Sequence, residues 1–245
     1  MKLRNSILIL LVALLSIIST ARLKAETRVN NEDAKVDISV NADLVSRYVW
    51  RGMLYSSNFN LQPSVNFGYK NFYGGVWGSY GIAHEFAEVD FYVGFTKGNF
   101  AFTLNDYYVG TDIGLLGDDY FNYSSETTNH AFEAEVQYFF EDIPLVLTGS
   151  NFFYGNDRDE DGDNYYSTYF EAMYNFYDVS GYNVSLFAGG TPAEGLYSDG
   201  AAIVNVGASF LKEVEVNDLI SLPLEASLIF NPDAEDIFFV LSLTF

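Results

Sequence analysis

Three features of the sequence predict an all-β chain closed into an up-and-down antiparallel barrel of about twelve strands. Apolar and polar residues alternate with period two from Lys35 to the last residue. Tight turns and long links succeed each other along the chain. Aromatic residues reach 18%, with 22 Phe and 19 Tyr, a load that favours strands over helices.

The elements follow in order. Lys2 and Arg4 precede an apolar run from Ile7 to Ile18, and small residues follow at Ser19 and Ala21. Such a charged start, short apolar stretch and small-residue site predict a secretory signal peptide over residues 1–25, cleaved after Ala21 or Ala25. The run is too short to be a spanning helix, which needs about 20 residues. Residues 26–34 form a short polar leader, and the barrel occupies 35–245.

In the first strand Val36, Ile38, Val40, Ala42 and Leu44 alternate with Lys35, Asp37, Ser39, Asn41 and Asp43. Strict alternation places one face in an apolar medium and the other in a polar one. The pattern recurs at 61–69, 87–95, 132–138, 182–188, 204–210, 222–230 and 237–245, and more weakly near 72–82, 99–110, 144–154 and 166–177. Each segment is close to the ~9–11 residues a tilted transmembrane strand requires, and an even count suits a single-chain bacterial barrel. Lys70-Asn71, Lys97-Gly98, Glu141-Asp142 and Asp178 to Gly181 are tight turns, whereas 52–58, 111–128, 155–165 and 190–200 are long links. Short turns at one end and long loops at the other predict an outer-membrane barrel with both termini periplasmic. A soluble β-sandwich also alternates. The two-sided loop asymmetry, the aromatic load and the terminal Phe245, with apolar partners at every second position, favour the barrel. That last strand is also the expected handle for the barrel-insertion machinery.

The chain has no cysteine, which excludes a lipid-anchored lipoprotein and thiolate metal sites. Four of its 12 basic residues (Lys2, Arg4, Arg22, Lys24) lie in the predicted signal, so 8 remain against 33 acidic residues, a net charge of −25. Such a surplus excludes nucleic acid as a partner, because phosphate contacts need basic patches. It suits cations, or outer-membrane lipid and a lipopolysaccharide layer bridged by divalent ions. Equally, it suits the plain solubility of long surface loops.

Residues 38–54 read I-S-V-N-A-D-L-V-S-R-Y-V-W-R-G-M-L. Within them Ser46, Tyr48, Trp50, Arg51 and Gly52 form a Ser-x-Tyr-x-aromatic-Arg-Gly motif, followed by Tyr73-Gly74-Gly75-Val76-Trp77-Gly78 and Glu88-Val89-Asp90-Phe91-Tyr92. Over about residues 38–110 the chain resembles the TorF-type porin family, also called Gcw_chp; beyond that it is generic barrel. Arg47 and Met53-Leu54-Tyr55 depart from the family's commoner form, which has Asp after the Ser and Ser-Gln after the Gly. The resemblance implies the barrel architecture more than it implies transport.

Continuing the parity of the first strand, Tyr48 and Trp50 face outward near its end, as an aromatic girdle. Arg47 and Arg51 then face inward, with Glu88, Asp90, Glu133 and Glu135 as lumen-lining partners on other strands, because a guanidinium binds carboxylates two-pronged. The cluster reads as an ion-pair network filling a narrow lumen or as a charged constriction that selects solutes. A weaker candidate is Asp157, Asp159 and Asp161 before Gly162, the first half of a Ca²⁺ loop. Its twelfth position is Thr168 rather than Glu, and Glu171 falls three residues too late, so an acidic loop open to solvent is the competing reading. No cofactor is expected. The two histidines, His84 and His130, sit at the predicted extracellular rim without a spaced acid partner, which leaves a hydrolase remote. The leading expectation is a porin passing small solutes and favouring cations. The alternative is a closed barrel acting through its structure or its acidic loops.

Overall fold

The computed structural model describes residues 35–82, 86–110, 119–217 and 220–245. The expected signal peptide, the leader and His84 lie outside these residues. The barrel strands are β1 (Asp37–Val45), β4 (Asn60–Tyr69), β5 (Phe72–Gly81), β6 (Ala87–Lys97), β7 (Phe100–Val109), β8 (His130–Phe139), β9 (Leu145–Gly155), β10 (Thr168–Val179), β11 (Tyr182–Thr191), β12 (Ala202–Asn217), β13 (Ile220–Asn231) and β14 (Asp236–Thr244). Two short strands, β2 (Tyr48–Trp50) and β3 (Met53–Ser56), form a separate hairpin. The twelve long strands pair antiparallel in sequence order and close between β1 and β14, so the expected barrel is the observed one.

Closure removes the sheet edges that would otherwise leave backbone groups unpaired. The period-two pattern then sorts side chains between two environments. On β4, Leu61, Val65 and Phe67 are exposed on the outer wall, while Gln62, Ser64 and Asn66 are buried inside. Of the residues expected on the outer face, Ile38, Val40, Phe91, Val93, Phe239 and Leu241 are exposed, and Ala87 is buried. The interior is polar and also filled: Gln137 is 1% exposed, Gln62 2% and Glu133 0%, values that leave those side chains no open water channel.

Tight turns close one end. Lys70 turns between β4 and β5 with φ 56°, and Ser180-Gly181 turns between β10 and β11 with φ 56° and 82°. Both φ values are positive there, the backbone of a hairpin turn matched to strand twist. The long links gather at the other end.

The closing seam is short. β1 and β14 are in register only over Asp43–Val45 and Ser242–Thr244. Backbone bonds between Ala42 and Phe245 extend it below, and Ser46 N donates to Leu241 O (2.8 Å) above. Past Ser46 the chain leaves the wall and turns into the barrel.

Candidate functional site: a hairpin latched inside the barrel

The segment that leaves the wall is the Ser-x-Tyr-x-Trp-Arg-Gly motif. It forms β2 and β3 around the two-residue turn Arg51-Gly52, with φ 49° and 79°. Positive φ at both positions makes a turn of the tight primed class, for which glycine at the second position is well suited. Glycine is also required by packing: a Cβ on Gly52 would lie 1.9 Å from the carbonyl oxygen of Val204 on β12. Asn231 Nδ2 of β13 donates to Gly52 O (3.2 Å). The tip of the hairpin therefore lies inside the barrel and rests on β12 and β13, three and two strands from β1 past the closing seam.

This overturns the expected girdle. Tyr48 and Trp50 do not face outward; they are interior. Tyr48 packs on Trp77, Tyr55 and Phe86 with ring centroids 5.3–5.8 Å apart. Trp50 packs on Tyr107, Phe152 and Tyr197. The parity of β1 cannot be carried past Ser46 because the chain no longer lies in the sheet. For the same reason Arg51 is a turn residue and Arg47 a bend residue, not members of a wall strand.

Arg51 nonetheless reaches two of its expected partners. Its Nη1 donates to Glu133 Oε1 (2.5 Å) and to the Tyr197 hydroxyl (2.5 Å). Its Nη2 donates to Glu133 Oε2 (3.2 Å) and Glu135 Oε2 (3.2 Å). The guanidinium lies over Trp50 at 4.4 Å and Tyr169 at 4.6 Å, so its charge is also met by ring faces. Tyr107 donates to Glu133 (2.8 Å), and Tyr169 and Asn205 both donate to Glu171 (2.6 and 2.9 Å). Burial pushes the Tyr197 phenol above its ordinary range, so it stays a neutral hydroxyl beside the guanidinium. Together these residues make a latch: a hairpin pinned by one arginine to β8 and to the β11–β12 link.

Glu88 and Asp90 lie elsewhere. Glu88 takes the Tyr48 hydroxyl, and Asp90 accepts from Tyr108 N (3.4 Å). Among the described residues neither pairs with an arginine. Arg47 lines a small cavity inside the seam with Val49, Gln62, Glu225, Ile229 and Val240. Parity and charge pointed to Glu133 and Glu135. Tyr107 and Tyr169 share their inward parity but lacked any charge to single them out. Tyr197 sits in a link and carries no periodic signal at all.

The acidic link between β9 and β10 is not wholly open to solvent. Asp157 is 4% exposed and accepts from Ser167 N (2.8 Å) and Ser167 Oγ (2.5 Å). Asp159 Oδ1 accepts from Asp161 N and Asp163 N (both 2.9 Å). The Asp157 and Asp159 carboxylates thus accept from different donors, and among the described residues no three of His, Cys, Asp and Glu group as a metal site.

His130 does have an acid partner. Its Nδ1 meets Asp106 Oδ1 (2.7 Å) on the outer wall, beneath Tyr120 and Tyr123 of the β7–β8 link. Its Nε2 meets Tyr120 O (2.6 Å). Both ring nitrogens therefore sit within hydrogen-bond distance of an oxygen.

Comparison with known proteins gives a family without an activity. No curated protein matches the chain. A solved structure described as "Unveiling the Mechanism Behind the in-meso Crystallization of Membrane Proteins" contains a similar chain, at 12% identity, 84% coverage of this chain, 82% of that one and a TM-score of 0.39. A likeness of that size supports no functional argument. The model of a family described as bacterial protein of unknown function (Gcw_chp) matches residues 30–194, a span that includes the hairpin and the strands bearing Glu133, Glu135 and Tyr169. On that match, over more than half its length, the chain belongs to the Gcw_chp family.

Proposed function

We propose that this protein is an outer-membrane barrel whose lumen is a conduit for small, preferentially cationic solutes, held closed by the β2–β3 hairpin. The single observation that carries the reading is the chemistry of the plug. A purely structural filler is best made of apolar side chains, since a buried ion pair gains little over a well-packed apolar replacement. This plug is instead pinned by an arginine between Glu133 and Glu135, a polar contact that water can replace when the hairpin withdraws. The inner wall is acidic: Glu88 and Asp90 of β6, Glu133 and Glu135 of β8 and Asp43 of β1 are all buried. Withdrawal would expose a lumen that attracts cations and repels anions.

The reading places the apolar outer wall in outer-membrane lipid, the short turns and both termini on the periplasmic side, and the acidic long links against the lipopolysaccharide layer. The last strand, ending at Phe245, would present the signal for barrel insertion. It assigns no enzymatic activity and no cofactor; the engagement of both His130 nitrogens supports the former. The TorF-type porin name fits in architecture, with the qualification that the resting barrel is shut.

Solute efflux from vesicles tests this. Vesicles bearing the wild-type protein should retain small sugars and cations. Vesicles bearing Arg51→Ala should leak, cations faster than anions of equal size. Rapid efflux through wild type, or equal retention by both, would refute a latched conduit.

A further inference from the structure

The latch leaves an imbalance of charge and of hydrogen bonding on the wall it binds. Five buried carboxylates face the interior (Asp43, Glu88, Asp90, Glu133, Glu135), whereas no Lys or Arg among the described residues is equally buried, Arg51 being 9% exposed. Around Arg51 itself, Glu133, Glu135 and the neighbouring Glu171 set three acids against one base. A buried carboxyl group either keeps its proton or, when ionised, needs a counter-charge.

The same place also holds oxygens with no partner. Glu135 Oε1, Asn105 Oδ1 and Ser150 Oγ are buried and make no hydrogen bond. The residues are 3%, 2% and 4% exposed. They belong to three adjacent strands, β7, β8 and β9. Ser150 stands directly opposite Glu135, and Asn105 directly opposite Glu133. Opposed residues bring their Cβ atoms to about 5 Å, and diagonal neighbours remain within reach of longer side chains. Asn105 turns its amide nitrogen to Glu133 Oε2 (3.4 Å), which leaves its oxygen as the free end. A carboxylate, an amide oxygen and a hydroxyl, all unpaired and none of them sulfur or imidazole, form a donor set for a hard cation.

We infer that the inner wall at Asn105, Glu135 and Ser150, beside the Arg51–Glu133 pair, is a binding site for a divalent cation of the Ca²⁺ type. The ion supplies the missing positive charge and occupies the three orphaned oxygens. It shares Glu135 with Arg51, so the site belongs to the latch. The inference deepens the reading of a cation-favouring conduit and rests on it for its role, but the binding itself is separately measurable. The acidic β9–β10 link is excluded as its location, because Asp157 is spent on Ser167.

The test uses the full mature chain, folded in detergent and stripped with chelator. Tb³⁺ serves as the probe and Ca²⁺ as its competitor. Tyr107, Tyr169 and Trp50 surround the site, so Tb³⁺ bound there should show sensitised luminescence, displaced by Ca²⁺ with an affinity of about 0.1–1 mM, the range of weak modules. Glu135→Gln should weaken that binding at least tenfold. Ser150→Ala, which disturbs nothing else, should weaken it several-fold and covers the case in which Glu135→Gln does not fold. Asp159→Asn with Asp161→Asn should leave it unchanged. No Ca²⁺-displaceable luminescence, binding unaffected by both site variants, or loss only in the link variant would overturn the inference. Free efflux through the wild-type protein would instead overturn the latch while leaving Ca²⁺ binding intact, so the two failures are distinguishable.

Discussion

Removing the Arg51 side chain tests the latch at its pivot. Arg51→Ala deletes both contacts to Glu133, the contact to Glu135 and the stacking over Trp50 and Tyr169. Glu133 has a side-chain exposure of 0% and Glu135 of 2%, so the lost contacts are not those of a surface pair, for which ~0–1 kcal/mol would be expected. Breaking one side of a buried pair costs about 3–5 kcal/mol, because the other charge is stranded. At ~2–4 °C per kcal/mol for a chain of this size, the melting midpoint should fall by on the order of 10 °C. The folded and unfolded bands of the barrel on electrophoresis after heating report that midpoint. Local release is reported separately by tryptophan. The chain has 2 Trp, and in a Trp77→Phe background the survivor is Trp50 on the hairpin itself. Quenching of Trp50 by acrylamide should rise when Arg51 is removed. A double-mutant cycle with Glu133→Gln completes the argument: once the carboxylate is neutral, removing Arg51 should cost far less. A midpoint shift below about 1 kcal/mol, with no coupling in the cycle and unchanged quenching, would show that the arginine does not hold the hairpin.

Three further outcomes follow from other contacts. Gly52→Ala places a methyl group against the Val204 carbonyl in a backbone with φ 79°, so it should displace the hairpin tip and reproduce the Trp50 exposure of Arg51→Ala, as acrylamide quenching would show. Thr244→Val removes the hydroxyl that donates to Asp43 (2.5 Å) across the short β1–β14 seam, and the heat-modifiable band should lose about 1–3 kcal/mol of stability, the cost of leaving a buried acceptor unpaired. Asp157→Ala frees the Ser167 backbone and hydroxyl, so protease should cut the β9–β10 link faster, to the same extent with and without Ca²⁺.

The wall was legible in the sequence and the plug was not, for one physical reason. Period two reports which face of a strand is apolar, and most wall strands follow it closely, so strand count and the outward faces of β1, β6 and β14 could be read directly. The same period runs through Tyr48–Trp50 and Met53–Ser56, where the chain has left the wall and alternation no longer reports an inner and an outer face. The signal that separates the hairpin from a longer β1 is the Arg51-Gly52 pair, a two-residue turn whose first position lacks the usual Asn or Asp. Glu133 and Glu135 were legible as partners because a chain so short of base has few ways to satisfy an inward arginine. The role of Asp157 was hidden because its partner, Ser167, lies ten residues on and carries no charge. Tyr197 was hidden because links have no period.

The central claim is that the hairpin closes an otherwise open acidic lumen. Single-channel recording in a planar bilayer tests it most directly, comparing the wild-type chain with one in which residues 47–58 are replaced by a short Gly-Ser turn. The account predicts a silent wild type and, for the shortened chain, steady conductance whose reversal potential in a salt gradient shows cation preference. A conducting wild type, or a shortened chain that folds and stays silent, would contradict it.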